Sequence, residues 1–167
     1  MGQMASNPQI ILIDGPAGAG KTTLSLKLQE ELNCEVIHLD YVYNGWVFAL
    51  SDSLTNTLSE LLAAFTSGKE FELPIFNWET MNFDSTKIIK PADNLIIEGV
   101  GAGQSAIRGY ATKLYWVDID NEVGLQRVLD RDGAHLESQM RAWQIREAKH
   151  FEVERTREFA DFIITTT

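Results

Sequence analysis

The stretch Gly15-Pro16-Ala17-Gly18-Ala19-Gly20-Lys21-Thr22 constrains this chain more than any other part of it. It fits the pattern G-x-x-x-x-G-K-[ST] in full. An apolar run, Gln9 to Asp14, leads into it, and Leu24, Leu28 and Leu32 follow at helical spacing until Asn33 ends the period. Small residues in such a turn let backbone N–H groups approach phosphate oxygens, and the helix N-terminus behind them adds a favourable dipole. Gly15, Ala17, Gly18, Ala19, Gly20, Lys21, Thr22 and Thr23 are therefore the expected nucleotide-binding residues. Lys21 is expected to reach the β- and γ-phosphates of ATP, and the Thr22 hydroxyl to join a Mg²⁺ shell that keeps several waters.

The rest of the chain is consistent with what this motif requires. Glu35 to Leu39 reads as a second strand with Asp40 at its C-terminal end, Asn94 to Glu98 as a third, Lys113 to Asp118 as a fourth and Phe162 to Thr165 as a last one. Leu54, Leu58, Leu61, Leu62 and Phe65 form an amphipathic helical stripe stopped by Gly68, and Glu122 to Asp130 and Ser138 to Phe159 read as helices. Phe71 to Phe83 is aromatic and irregular. Strands alternating with helices predict an α/β fold: a doubly wound open parallel sheet of about five strands flanked by helices, with a helical lid over about residues 125–150. In such a sheet ligands bind beyond the strand C-termini, where Gly15, Asp40 and Glu98 should converge.

No repeat or linker divides residues 1–167, so a single domain is expected, with residues 1–8 as a flexible leader. Met1 to Ser6 satisfy a bare myristoylation pattern, but no polybasic patch supplies a second anchor, and Met4 is an alternative start. A net charge of −10 repels a polyphosphate backbone and argues against a nucleic-acid partner. No apolar run is long enough for a membrane span. Cys34 is the only cysteine and has no partner for an intramolecular disulfide, which fits a reducing cytoplasm. The expected partners are a nucleotide and a small-molecule acceptor; a homodimer is left open.

Three further features bear on chemistry. Leu95-Ile96-Ile97-Glu98 is an apolar strand ending in an acid, the form of a Walker B strand, so Glu98 joins Thr22 as a metal-side residue, acting through water. Asp40 can accept the proton of an acceptor hydroxyl as its oxygen attacks the γ-phosphorus, whereas His38 is read as structural and pointing away. Six of seven arginines follow residue 120. Arg127 and Arg131, four apart on one helix face, can present two guanidinium groups to the phosphates as a lid closes about Gly133. Arg141, Arg146, Arg155 and Arg157 read as solvated surface, paired with Asp130, Glu147 or Glu154. Tyr41, Tyr43, Trp46, Phe71, Phe76, Trp78 and Phe83 are candidate rings for an acceptor pocket, at least half of them expected to be plain core.

With these residues in place, residues 9 to 165 resemble the uridine kinase-like branch of the P-loop nucleoside and small-molecule kinases. The resemblance is carried by the phosphate loop, by Asp40-Tyr41-Val42-Tyr43, by Pro74-Ile75-Phe76-Asn77-Trp78, by Ile96-Ile97-Glu98-Gly99 and by Arg127 and Arg131. It implies ATP with Mg²⁺ as donor and Asp40 as base for a 5′-hydroxyl-like acceptor. Phe76 and Asn77 stand where that branch tends to have tyrosine and aspartate, and the chain's length leaves little room for a β-hairpin over a base. Ile13 to Thr22 alone is similar to cytidylate kinases, but no arginine lies between residues 36 and 107 to grip a monophosphate. The expected function is ATP- and Mg²⁺-dependent phosphoryl transfer to the hydroxyl of a nucleoside or similar small molecule. The alternatives are a nucleoside monophosphate kinase and a non-catalytic ATP-binding switch.

Overall fold

A run of isoleucine and leucine with no polar interruption suits a strand covered on both faces, and Gln9–Asp14 forms such a strand, β1, in the centre of the sheet. The computed structural model describes residues 7–167. The myristoylation-like pattern and Met1 to Ser6 of the expected leader lie outside the described residues. β1 is flanked by β5 (Asn94–Glu98) and β6 (Lys113–Asp118), with β2 (Glu35–His38) and β7 (Phe162–Thr165) at the edges, in the order β2-β5-β1-β6-β7. Every neighbouring pair in this sheet is parallel. The expected five-stranded parallel α/β sheet is the observed one.

Alternation along β1 divides the core. Ile11 and Ile13 join Val36, Ile96 and Val117 on one face, where helix α1 (Lys21–Leu32) lays Leu24, Leu28 and Leu32 against them. Ile10 and Leu12 join Ile37, Leu95 and Ile97 on the other, beneath α2 (Asp52–Thr66). The α2 stripe is fully used: Leu54, Leu58, Leu61, Leu62 and Phe65 are all buried, each contributing about 2 kcal/mol of apolar transfer energy. The short helix α3 (Ser105–Arg108) adds Ile107 to this face. From α4 (Asn121–Asp132) come Leu125, Val128 and Leu129, and from α5 (Glu137–Glu154) Met140 and Trp143.

Three local expectations are corrected. β2 ends one residue early, at His38, and Leu39–Tyr41 forms a 3-10 turn, so Asp40 sits in that turn. The segment expected to be irregular, in a chain expected to have little room for a hairpin, is a hairpin: β3 (Phe71–Asn77) pairs antiparallel with β4 (Asn82–Ile89). A register shift between Ile75 and Phe76 puts the buried Leu73 and Phe76 three apart, and β4 is exposed until Ile89, so neither strand carries a period of two. The long last helix is interrupted at Arg155, which adopts a left-handed conformation (φ 53°) between α5 and α6 (Thr156–Phe159).

Candidate active site

The phosphate loop leaves the end of β1 and is held by backbone on both sides. A Cβ at Gly15 (φ 143°) would stand 2.1 Å from the Val117 carbonyl oxygen on β6, so only glycine fits there. A Cβ at Gly18 (φ 78°) would meet the Gly124 carbonyl oxygen on α4 at 2.2 Å, and one at Gly124 would stand 2.6 Å from the Ala17 carbonyl oxygen. Lys21 is buried and its Nζ donates to the carbonyls of Gly15 and Pro16, each at 2.8 Å. Beneath the loop, the fully buried Asp14 carboxylate accepts the amides of Gly15 (2.7 Å) and Gly103 (2.8 Å) and reaches that of Gly101 (3.2 Å). Burial raises the Asp14 carboxyl and these amides pull it back.

Glu98 ends β5 beside the loop, and its Oε1 accepts the Thr22 hydroxyl at 3.3 Å. The same oxygen lies 2.7 Å from His38 Nδ1, the residue paired with it across the parallel ladder. His38 therefore faces the cleft, contrary to the expectation that it points away: it stands two residues before Asp40, and parallel register sets it beside Glu98. The Glu98 bond raises His38 above the ordinary histidine value. Asp40 opens onto the cleft, where water reaches one side of it. Desolvation by the protein around it, then the Glu98 charge, raise its carboxyl against the pull of Lys21, Arg131 and His38.

Arg127 and Arg131 project from α4 along the same cleft. Arg127 donates to the Gly18 carbonyl at 3.3 Å and to the Thr167 carbonyl, so it braces the loop. Arg131 is held by Asp132, with Nε to Oδ1 at 3.0 Å and Nη2 to Oδ2 at 2.8 Å. Gly133 ends α4 and a 3-10 turn, Ala134–Leu136, leads into α5, so residues 125–150 are two helices about a glycine. The surface reading fits Arg141, Arg155 and Arg157 but with other partners: Glu122 and Glu137, Glu158, and Asp118 respectively. Arg146 instead donates to the Trp46 carbonyl at 3.4 Å. Glu147 and Glu154 accept backbone amides, and Asp130 accepts Gln126.

The far wall is aromatic. Trp46 stands edge-on to Trp78 (5.4 Å between centroids) and to Trp143 (6.2 Å), and Tyr43 packs on Trp143 at 5.4 Å. Trp78, just after β3, donates its Nε1–H to the Asp40 carbonyl at 2.7 Å, which ties the hairpin to the turn that carries the acid. Tyr41, Tyr43, Trp46 and Trp78 line the cleft, whereas Phe71, Phe76 and Phe83 do not. Together the loop, the acids and the wall enclose a cavity of about 770 Å³.

Two site residues escaped sequence reading. Trp143 lies on α5 among charged residues, three positions after Met140, and that apolar spacing was the only signal for it. Glu147, one turn further, is 3 % exposed and both its oxygens accept the Ala17 amide, at 3.2 and 3.3 Å. Desolvation pushes its carboxyl up to about 7. Nothing local in the sequence distinguishes it from its exposed neighbours.

The residues fit a nucleotide with a hard cation. Lys21 satisfies itself on loop carbonyls that a phosphate can replace, and Thr22 and Glu98 bring two oxygen donors together. No cluster of three or more His, Cys, Asp or Glu able to hold a metal occurs among the described residues. No helix among the described residues is long and apolar enough to cross a membrane.

Residues 11–149 match the family model described as AAA domain. No curated protein matches the chain. Among solved structures, a possible uridine kinase of Bacillus stearothermophilus is 20% identical, with 97% of this chain covering 91% of that one at a TM-score of 0.62. A proposed fructose transport system kinase of a Silicibacter species is 15% identical, with 98% and 92% covered and a TM-score of 0.73. Shikimate kinase of Acinetobacter baumannii in complex with shikimate is 22% identical, with 96% and 84% covered and a TM-score of 0.58. These likenesses establish that the fold is shared with P-loop kinases.

Proposed function

This chain belongs to the AAA domain family, and on that premise we propose that it is an ATP-dependent kinase that phosphorylates a hydroxyl of a nucleoside or similar small molecule. The observation that carries the reading is the meeting of Lys21, Thr22 and Glu98 with Asp40 in one cleft walled by Tyr41, Tyr43, Trp46 and Trp78. A switch protein needs the first three but has no use for a further acid, Asp40, in the same cleft. The neighbours' descriptions as uridine, fructose transport and shikimate kinases favour hydroxyl acceptors.

In this reading the loop amides and Lys21 hold the donor's phosphates, and Thr22 and Glu98 would hold Mg²⁺, which would supply positive charge against the phosphate oxygens. Asp40 accepts the acceptor's proton as its oxygen bonds to the γ-phosphorus and the bond to the bridging oxygen breaks, releasing ADP. Its raised carboxyl makes it a better proton acceptor than an ordinary aspartate once ionised. Arg131 and Arg127 line the same cleft, and their guanidinium groups would offset charge spreading over the transferred group. Among the described residues the cavity's cationic side chains are Lys21, Arg127, Arg131 and, when protonated, His38, all grouped with the phosphate loop and the acids. The one guanidinium bonded to the wall among the described residues, Arg146, is occupied by the Trp46 carbonyl and does not line the cavity, which favours an uncharged acceptor over a monophosphate. The single Cys34 and the need for ATP fit a cytoplasmic reaction.

The test is transfer from γ-labelled ATP with Mg²⁺ to a panel of nucleosides, nucleoside monophosphates, pantothenate and simple sugars, with Asp40→Asn in parallel. Label on one unphosphorylated compound, lost in Asp40→Asn, supports the proposal. Label on CMP or UMP alone replaces it with a monophosphate kinase. ATP binding with no labelled product replaces it with a switch.

A further inference from the structure

A carboxylate on a phosphate-loop amide is out of place in a site meant for polyanions. Glu147 comes from α5, 130 residues along the chain, yet its two oxygens share the Ala17 N–H at 3.2 and 3.3 Å with almost no contact with water. An anion arriving at that amide meets a like charge in a dry setting, where an unrelieved pair costs several kcal/mol. We infer that Glu147 is a positioning residue of the phosphate loop, holding the Ala17 amide until a polyphosphate claims it and then protonating, so that loop occupancy is transmitted to α5 and to Trp143 on the aromatic wall. The inference rests on the nucleotide reading of this site.

The exchange balances simply. The Ala17 N–H turns from the carboxylate to a phosphate oxygen, the carboxylate takes one proton from solvent, and the neutral group can donate its O–H to phosphate instead of repelling it. The surroundings favour this. Burial pushes the carboxyl up, Lys21 on α1 and the Ala17 amide hold the charged form, Asp14 on β1 opposes it and the Trp143 indole favours it, leaving the carboxyl at about 7. Tyr43, after β2, is within electrostatic reach of it, with its hydroxyl turned to the Val100 carbonyl. Trp143 connects the carboxyl to the wall, because its ring packs on Tyr43 and Trp46.

The experiment is calorimetric titration of the full chain with a non-hydrolysable ATP analogue and Mg²⁺, from about pH 6.5 to 8.5, in buffers of different ionisation heat. Uptake of one proton weakens binding about tenfold per pH unit above the carboxyl's midpoint. Wild type should show that slope above about pH 7 together with proton uptake, and Glu147→Gln, which keeps an acceptor for Ala17, should show neither. Trp143→Phe keeps a ring but removes the indole donor, and should move the onset of the slope to higher pH; it also serves if Glu147→Gln fails to fold. Equal slopes and equal proton uptake in wild type and Glu147→Gln, or an unmoved onset in Trp143→Phe, overturn this inference and leave the kinase reading standing. Absence of binding in every protein overturns both.

Discussion

The phosphate loop and the aromatic wall face each other across one cleft, and they are built differently. The loop is eight consecutive residues at the end of a central buried strand, shaped by backbone contacts to β6 and α4 and anchored from below by Asp14. The wall is gathered from a turn after β2, the hairpin, and α5, and its rings are held by one another and by single hydrogen bonds such as Trp78 to the Asp40 carbonyl. A site that grips a constant group, phosphate, can be written into one rigid stretch. The wall is assembled from side chains on separate elements, where a ring can change without moving the backbone that carries the others.

That contrast can be broken at several points. The largest effects should come from the chemistry itself: Asp40→Asn should lower kcat about 10²- to 10⁴-fold while leaving the Kd for ATP within about twofold, measured by γ-phosphate transfer and calorimetry. Lys21→Ala should cost about 10²-fold or more in kcat and weaken ATP as well, because it removes a preorganised charge from the donor half. Next is stability. Glu147 titrates near 7 in the folded chain against an ordinary value of 4.5. Between those values the folded state holds the extra proton, so stability should fall as pH rises through this window and level off above it. Glu147→Gln should remove up to about 3 kcal/mol of that slope in urea melts. Smaller again, Trp46→Leu should raise the acceptor KM about 5- to 10-fold, for a loss of about 1 kcal/mol of ring contact, with the Kd for ATP unchanged. An effect on ATP equal to that on the acceptor would mean the two halves are not separable. Arg141→Ala, which breaks only exposed pairs with Glu122 and Glu137, should change stability and transfer by less than about 0.5 kcal/mol.

The same contrast explains what could be read from the sequence. β1, the loop, α1 and the Leu54-to-Phe65 stripe were legible because their signals are local: a motif, a continuous apolar run, a period of 3.6. Asp40 and Glu98 were legible as acids at strand ends, and the topology brings them together. The hairpin was not, since a register shift and an exposed second strand erase alternation. His38 was misread because strand-to-strand register, which no single segment encodes, sets it beside Glu98. Glu147 was invisible for a similar reason: its partner is 130 residues away, and its own helix is charged all along that stretch.

The close passage of α4 over the loop sets a limit on how this chain can vary. A methyl group on either Gly18 or Gly124 strikes the backbone of the opposite segment, so changing one does not make room for the other. Each position is locked to glycine on its own account, with no single-step route away from it, and a random library selected only for folding should keep both. The aromatic wall has no such lock. The wall can therefore vary one ring at a time, while the backbone of the loop stays fixed.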